Sequence, residues 1–277
     1  MIFAMFLGAL ALTAHQPRDT VVGRGVVSTA AAEVRLAIRP DRRQILWGSI
    51  GRGAAPDQED IWEQHMEGDV WSAPAPVGFN TPAAEFDPAF SPDGRRLYFH
   101  SDRPGGLGGT DLYAVDVEAG GSSFGAPLNL GSGINSPGDE WAPTPDLDGR
   151  LIFSSDGWGG YGLHDLFEVS LADPGGRPVT LGAGVNGPDE DFDAALTVGG
   201  DRLVFSSGLM TDTAADVRLF VSRRSGSTWR RREPLPAGCS DFVLGASLDA
   251  ADPTVLYYAA NCAGGEGRMD IRRTTLP

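Results

Sequence analysis

Residues 85–130 read EFDPAFSPDGRRLYFHSDRPGGLGGTDLYAVDVEAGGSSFGAPLNL. Four β-prone runs stand out in this stretch: A near Phe86–Phe90, B at Leu97–His100, C at Leu112–Val117 and D near Ala126–Leu130. Between A and B lies Ser91-Pro92-Asp93-Gly94, where Pro presets φ and Gly accepts positive φ, so the two runs fold back as a hairpin. Run B is apolar at successive positions instead of alternating, the pattern of a strand covered on both faces.

The same plan recurs along the chain. B-type runs start at Ile45, Leu97, Leu151, Leu203 and Leu256, at steps of 52, 54, 52 and 53 residues. A period of roughly 50 residues built from short strands signals a β-propeller, because each small sheet buries its faces only against its neighbours in a ring. The expectation is a single all-β domain over 15–277 with five four-stranded blades, at about 31–80, 81–135, 136–186, 187–239 and 240–277. The last copy stops after strand C. The β-prone piece Val21–Ser28 is therefore predicted to supply its outer strand and close the ring, which leaves no open edge.

Composition agrees with a globular unit: 277 residues, 41% hydrophobic, with 38 Gly and 20 Pro suited to many tight turns. The net charge of −15 repels phosphate backbones and anionic lipid, which argues against nucleic acid as a partner. No apolar stretch reaches the ~18 residues of a spanning helix, so no transmembrane segment is expected. Ile2–Leu12 reads instead as the apolar core of a signal peptide over residues 1–14, although no Lys or Arg precedes it. The protein is expected to be a periplasmic or secreted monomer. Cys239 and Cys262 lie symmetrically about the turn 249–253, so two strands folding back there bring them opposite each other, and a disulfide is expected.

The SPDG turn, the following LYF-type strand, the Ser-Asp dipeptide, the Gly-rich loop and the DLY or DLF strand resemble the TolB-like, WD-repeat-like β-propeller repeat of bacterial envelope proteins. The resemblance covers about residues 31–277 and is strongest in the second and third copies. It implies a binding or scaffolding role in the cell envelope, with a protein or cell-wall component as partner.

Three B-to-C loops carry the skeleton Gly-Gly-x-Gly-x-x-Asp, at Gly105–Asp111, Gly159–Asp165 and Gly264–Asp270. A calcium-binding roll places its Asp one residue earlier, and the extra residue turns the side chain to the other face. The expected role is structural: glycines permit the turn and Asp accepts loop N–H groups. No metal ligand is assigned, and calcium stays open as a stabilising ion of a scaffold.

Strand direction places Glu85, Asp87, Glu140, Asp191, Asp193 and Asp241 on one face of the ring, with Glu33, Glu85, Glu140, Asp191 and Asp241 predicted to circle the channel mouth. The A-to-B turns on the other face hold Arg42, Arg96 and Arg150. An acidic mouth suits a cation or the basic segment of a partner, by focusing of the field. Trp158, Tyr161 and His164 break the repeat and are the recognition candidates, since aromatics concentrate at binding hot spots. A carboxylate-based glycoside hydrolase is the alternative. Against it, repeat-equivalent carboxylates lack the different environments that an acid and a base need. There is no G-x-S-x-G or H-E-x-x-H, and only four histidines. No catalytic residue and no cofactor is assigned.

Overall fold

The computed structural model describes residues 19–53, 55–118, 123–173, 175–210, 215–237 and 242–276. The signal-peptide segment, Cys239 and Asp241 lie outside them. Five antiparallel sheets follow one another along the chain. Blade 1 has strands A (Ala32–Ile38), B (Gln44–Ile50) and C (Glu59–Glu67), with Val70–Trp71 and Ala75–Pro76 both pairing outside C. Blade 2 uses Glu85–Phe90, Arg96–Ser101, Asp111–Asp116 and Leu128–Asn129. Blade 3 uses Glu140–Pro145, Arg150–Ser155, Asp165–Ser170 and Val179–Thr180. Blade 4 uses Glu190–Leu196, Arg202–Met210 and Ala215–Ser225, with Thr228–Trp229 and Glu233–Pro234 outside. Blade 5 uses Val243–Leu248, Val255–Ala260 and Asp270–Thr275.

The outer strand of blade 5 is Thr20–Val21, with Thr20 opposite Arg273 and Val21 opposite Arg272. Val22 adds a bond from its N–H to the Ile271 carbonyl at 2.8 Å. This closing strand is shorter than the Val21–Ser28 expected, because Gly23 and Gly25 take positive φ and the Val26 and Val27 N–H groups turn back onto the Gly23 carbonyl. Val27 and Ser28 are nevertheless buried against blades 5 and 1.

Strand A of each blade packs on strand A of the next, and that of blade 5 on that of blade 1, so the ring is complete. One apolar cluster fills each gap between blades. Leu46, Ile61, Leu97 and Phe99 join blades 1 and 2; Tyr98, Leu112, Phe153 and Phe167 join blades 2 and 3. Ile152, Leu166, Leu203 and Phe205 join blades 3 and 4; Val204, Leu219, Leu256 and Tyr258 join 4 and 5; Leu36, Trp47, Tyr257 and Ile271 join 5 and 1. Each B strand feeds two clusters, which is why its apolar run does not alternate. Full burial of each such side chain stabilises by roughly 1.5–3 kcal/mol. Among the described residues no helix is long and apolar enough to cross a membrane.

Candidate functional site

The repeated carboxylates do not form an open acidic mouth. Glu33, Glu85, Glu140 and Asp191 are all fully buried. Each is held by the residue four positions earlier: Glu85 accepts the Thr81 N–H (2.6 Å) and hydroxyl (2.7 Å), and Glu140 those of Ser136 (2.9 and 2.6 Å). Thr29 serves Glu33 in the same way, and the Gly187 N–H serves Asp191. A Ser on strand B adds a further bond, Ser101 to Glu85 at 2.9 Å and Ser155 to Glu140 at 2.6 Å. Arg103 and Arg232 also pair with Glu85 and Asp191. Burial raises the pKa of Glu33, Glu140 and Asp191 against these bonds. These groups pin the loop that enters each blade. The equivalent of this position in blade 5 is Val243, opposite Ala260, and not Asp241. Acid and hydroxyl are replaced together by a valine and an alanine in the apolar cluster there.

The loop aspartates are equally occupied. Asp111 accepts the N–H groups of Leu107 (2.5 Å) and Gly108 (3.2 Å), Asp165 that of Tyr161, and Asp270 that of Glu266. On the opposite face the turn arginines are neutralised within the chain, Arg42 by Asp249 (2.8 Å), Arg96 by Asp116 (3.2 Å) and Arg150 by Asp146 (2.7 Å).

Variation concentrates two residues further along strand A. The register slips there in every blade, between Val34 and Ala37, Phe86 and Ala89, Trp141 and Thr144, Phe192 and Ala195, and Leu244 and Ser247. The first bulged residue has positive φ each time: Arg35 (52°), Asp87 (51°), Ala142 (51°), Asp193 (51°) and Gly245 (69°). A non-glycine residue held so costs about 1–3 kcal/mol, and a bulge re-aims its side chain. In blade 5 only glycine fits, since a Cβ on Gly245 would lie 2.6 Å from Val34.

The re-aimed side chains meet in the interior of the ring. Arg35 donates to the Thr144 hydroxyl (2.6 Å) and the Pro143 and Ala194 carbonyls, and lies 3.7 Å from Asp193. Asp193 also accepts the Gly245 N–H at 2.7 Å. His100, from strand B of blade 2, accepts the Ala142 N–H at Nδ1 (3.4 Å) and lies 3.4 Å from Asp87. All four charged or titratable groups are buried. Desolvation, then Asp193, pushes the Asp87 carboxyl well up. Desolvation raises Asp193 as well, against the pull of Arg35. Desolvation and then Arg35 pull His100 down to about 3. An imidazole nitrogen that accepts a backbone N–H carries no proton, so Nδ1 is the unprotonated nitrogen of His100. The interior thus holds an ion pair, Arg35 with Asp193, beside a carboxyl–imidazole contact, Asp87 with His100.

Arg35 and Thr144 also line a cavity of about 530 Å³ that opens among the A-to-B turns. That is ample for a small ligand or a peptide side chain, since binding pockets span ~300–1,000 Å³. One apolar residue from every turn stands at its mouth: Pro40, Pro92, Leu147, Val198 and Ala250. All five are exposed, Leu147 at 64% and Val198 at 48%. Asp87, His100 and Asp193 do not line this cavity. The open concave site therefore lies on the turn face, opposite the face the acidic candidates suggested. Arg35, His100 and the apolar collar are absent from the sequence candidates; the bulge position, where the repeat reads Arg, Asp, Ala, Asp, Gly, is the signal that marks the first.

The loop 158–164 divides. Trp158 packs on the cluster between blades 2 and 3 and donates its Nε1–H to the Ile134 carbonyl at 2.9 Å, an anchoring role. Tyr161 is 53% exposed. His164 is buried, its ring stacked on Trp141 with centroids 3.7 Å apart, beside Asp139 and Asp156. Cys262 is buried just beyond strand B of blade 5; Cys239 lies outside the described residues, and with it the expected pairing.

No family model and no curated protein matches the chain. Solved structures share its fold. TolB from Acinetobacter baumannii has a TM-score of 0.55 at 14% identity over 88% of this chain and 55% of TolB, so the chain spans about half of that protein. A gluconolactonase from Xanthomonas campestris has 0.54 at 13% identity, over 96% and 86% of the two chains. A luciferin-regenerating enzyme has 0.53 at 8% identity, over 94% and 95%. The chain is a five-bladed β-propeller similar in fold to TolB, and that fold also carries enzymes.

Proposed function

We propose that this propeller is a non-catalytic binding module of the cell envelope that takes a segment of a protein or cell-wall partner into the cavity on its turn face. The observation that carries the reading is the collar of Pro40, Pro92, Leu147, Val198 and Ala250 around a cavity floored by Arg35 and Thr144. Every blade contributes an exposed apolar side chain to the lining of this one cavity, and exposed apolar side chains gathered at one place mark interaction sites. The repeated carboxylates support the reading from the other side, because they are engaged in holding loops. Export to the periplasm or beyond, a monomeric state and a Cys239–Cys262 disulfide belong to the same proposal; the apolar segment Ile2–Leu12 and the two cysteines support it.

The test is recovery of partners from envelope extract on wild type and on a Leu147→Asp/Val198→Asp variant with an unchanged unfolding midpoint. Loss of recovery on the variant is expected, and equal recovery overturns the assignment of this face. One observation favours an enzyme: Asp87, with its raised pKa, lies against His100 in the interior. Turnover of a glycoside or lactone that Asp87→Asn abolishes would replace the binding reading.

A further inference from the structure

The row of residues just outside the last ladder pair of blade 3 differs from that of every other blade. Glu140, Ser155 and Asp165 pair across strands A, B and C, so Asp139, Asp156 and His164 follow side by side one step further out. The same row reads Ala84, Asp102, Thr110 in blade 2, Ala32, Ile50, Glu59 in blade 1, and Glu190, Gly208, Val217 in blade 4. In blade 5 it reads Phe242, Asn261, Met269. Only blade 3 assembles two carboxylates and an imidazole.

A ring nitrogen of His164 and one oxygen each of Asp139 and Asp156 all lie within 4.8 Å of one another. His164 is 8% exposed, and neither ring nitrogen has a hydrogen-bond partner. Leaving a buried polar atom without a partner forfeits its hydrogen bonds to water with no replacement, so an orphaned imidazole facing two carboxylates asks for an occupant between them. Each carboxylate is already oriented through one oxygen: Asp139 accepts the Thr110 N–H at 2.7 Å and Asp156 the Asp139 N–H at 2.8 Å. The second oxygen of each remains available, and such outer bonds are what hold metal ligands in place. The Trp141 ring stacked on the imidazole fixes its plane.

We propose that Asp139, Asp156 and His164 form a binding site for a divalent transition cation of the zinc type. One nitrogen and two oxygens suit such an ion, with open positions left for water, whereas calcium wants about 6–8 oxygens. Bonds of about 2.0–2.2 Å require the three donors to close by roughly 1 Å, which the Asp139 and Asp156 carboxylates supply by turning about the oxygens that the Thr110 and Asp139 N–H groups hold. The site lies on the loop face and is independent of the cavity on the turn face.

The experiment is titration of the metal-free, untagged protein with Zn2+ against a chromophoric chelator, with tryptophan fluorescence followed in parallel. Wild type is expected to take one Zn2+ with a change in emission from Trp141. His164→Ala and Asp156→Asn should each weaken binding at least tenfold, while Asp102→Asn, the same position in blade 2, leaves it unchanged. Ca2+ at equal concentration should not compete. Absence of stoichiometric Zn2+ binding, or equal affinity in His164→Ala and in Asp156→Asn variants whose far-ultraviolet spectra match wild type, overturns the site.

Discussion

At the scale of single residues, position within the repeat and chemistry have to be separated. Glu85, Glu140 and Asp191 are readable from the sequence as equivalent acids, but their depth is not, because the residue four positions earlier that satisfies each acid, Thr81, Ser136 or Gly187, reads as an ordinary loop residue. Asp87 and Asp193 were legible as acids and not as neighbours of Arg35, since a bulge in strand A leaves no mark in residue spacing. His100 is the most informative case. Its folded pKa, depressed from the ordinary 6.5 to about 3, means that its contribution to stability is complete above 6.5 and is lost as pH falls towards 3. Asp87 and Asp193, raised by burial, act in the opposite sense: their contribution is present below the ordinary carboxylate range near 4 and is lost as pH rises through their elevated values. Comparing wild type with His100→Asn isolates the histidine. Between pH 6.5 and 5 wild type should lose about 1.6 kcal/mol relative to the variant in urea unfolding, since the slope grows from half of about 1.4 kcal/mol per pH unit at 6.5 to nearly all of it at 5. Parallel pH profiles would refute a buried neutral His100.

At the scale of elements, the Gly-Gly-x-Gly-x-x-Asp loop shows how a motif can be read correctly before its reason is visible. The sequence shows three glycines and an acid in three loops; the structure gives each glycine its own constraint. The first has positive φ in all three copies, 97° at Gly105, 76° at Gly159 and 80° at Gly264. The second leaves room for the Asp carboxylate, 2.6 Å from a Cβ built on Gly106. The third touches the backbone of the following blade: a Cβ on Gly108, Gly162 or Gly267 would lie 2.1–2.3 Å from a carbonyl oxygen there. The loop is therefore part of the contact between blades, which no single repeat reveals. Gly108→Ala should cost about 1–3 kcal/mol by overpacking, whereas Gly78→Ala, with nothing within 4 Å of its Cβ, should change stability little or raise it slightly. Equal unfolding midpoints for the two variants would refute the blade-to-blade role.

At the scale of the whole molecule, the period alone was enough for five blades, because apolar strand B repeats wherever a sheet is covered on two sides. Which face is open was not legible: it depends on how five turns converge, and each turn by itself shows one unremarkable Pro, Leu, Val or Ala. The closing contact, Thr20 with Arg273, joins residues about 250 positions apart, whereas the other blades fold from neighbouring strands. Strand C of blade 5 ends where Thr20–Val21 begins its antiparallel run, so Leu276 and Asp19 can be joined by a short turn. A permuted chain that starts at Ala31 and carries 19–30 after Leu276 should keep the fold by circular dichroism and refold faster by stopped-flow, since a long loop closure becomes a local hairpin. An unchanged refolding rate would show that this closure does not limit folding. In terms of connectivity, the molecule is a closed band with a movable seam. Its covalent break falls inside a blade, between the third and fourth strands, where backbone bonds bridge it, so any of the five inter-blade loops is an alternative place at which to cut the band once the present seam is sewn shut.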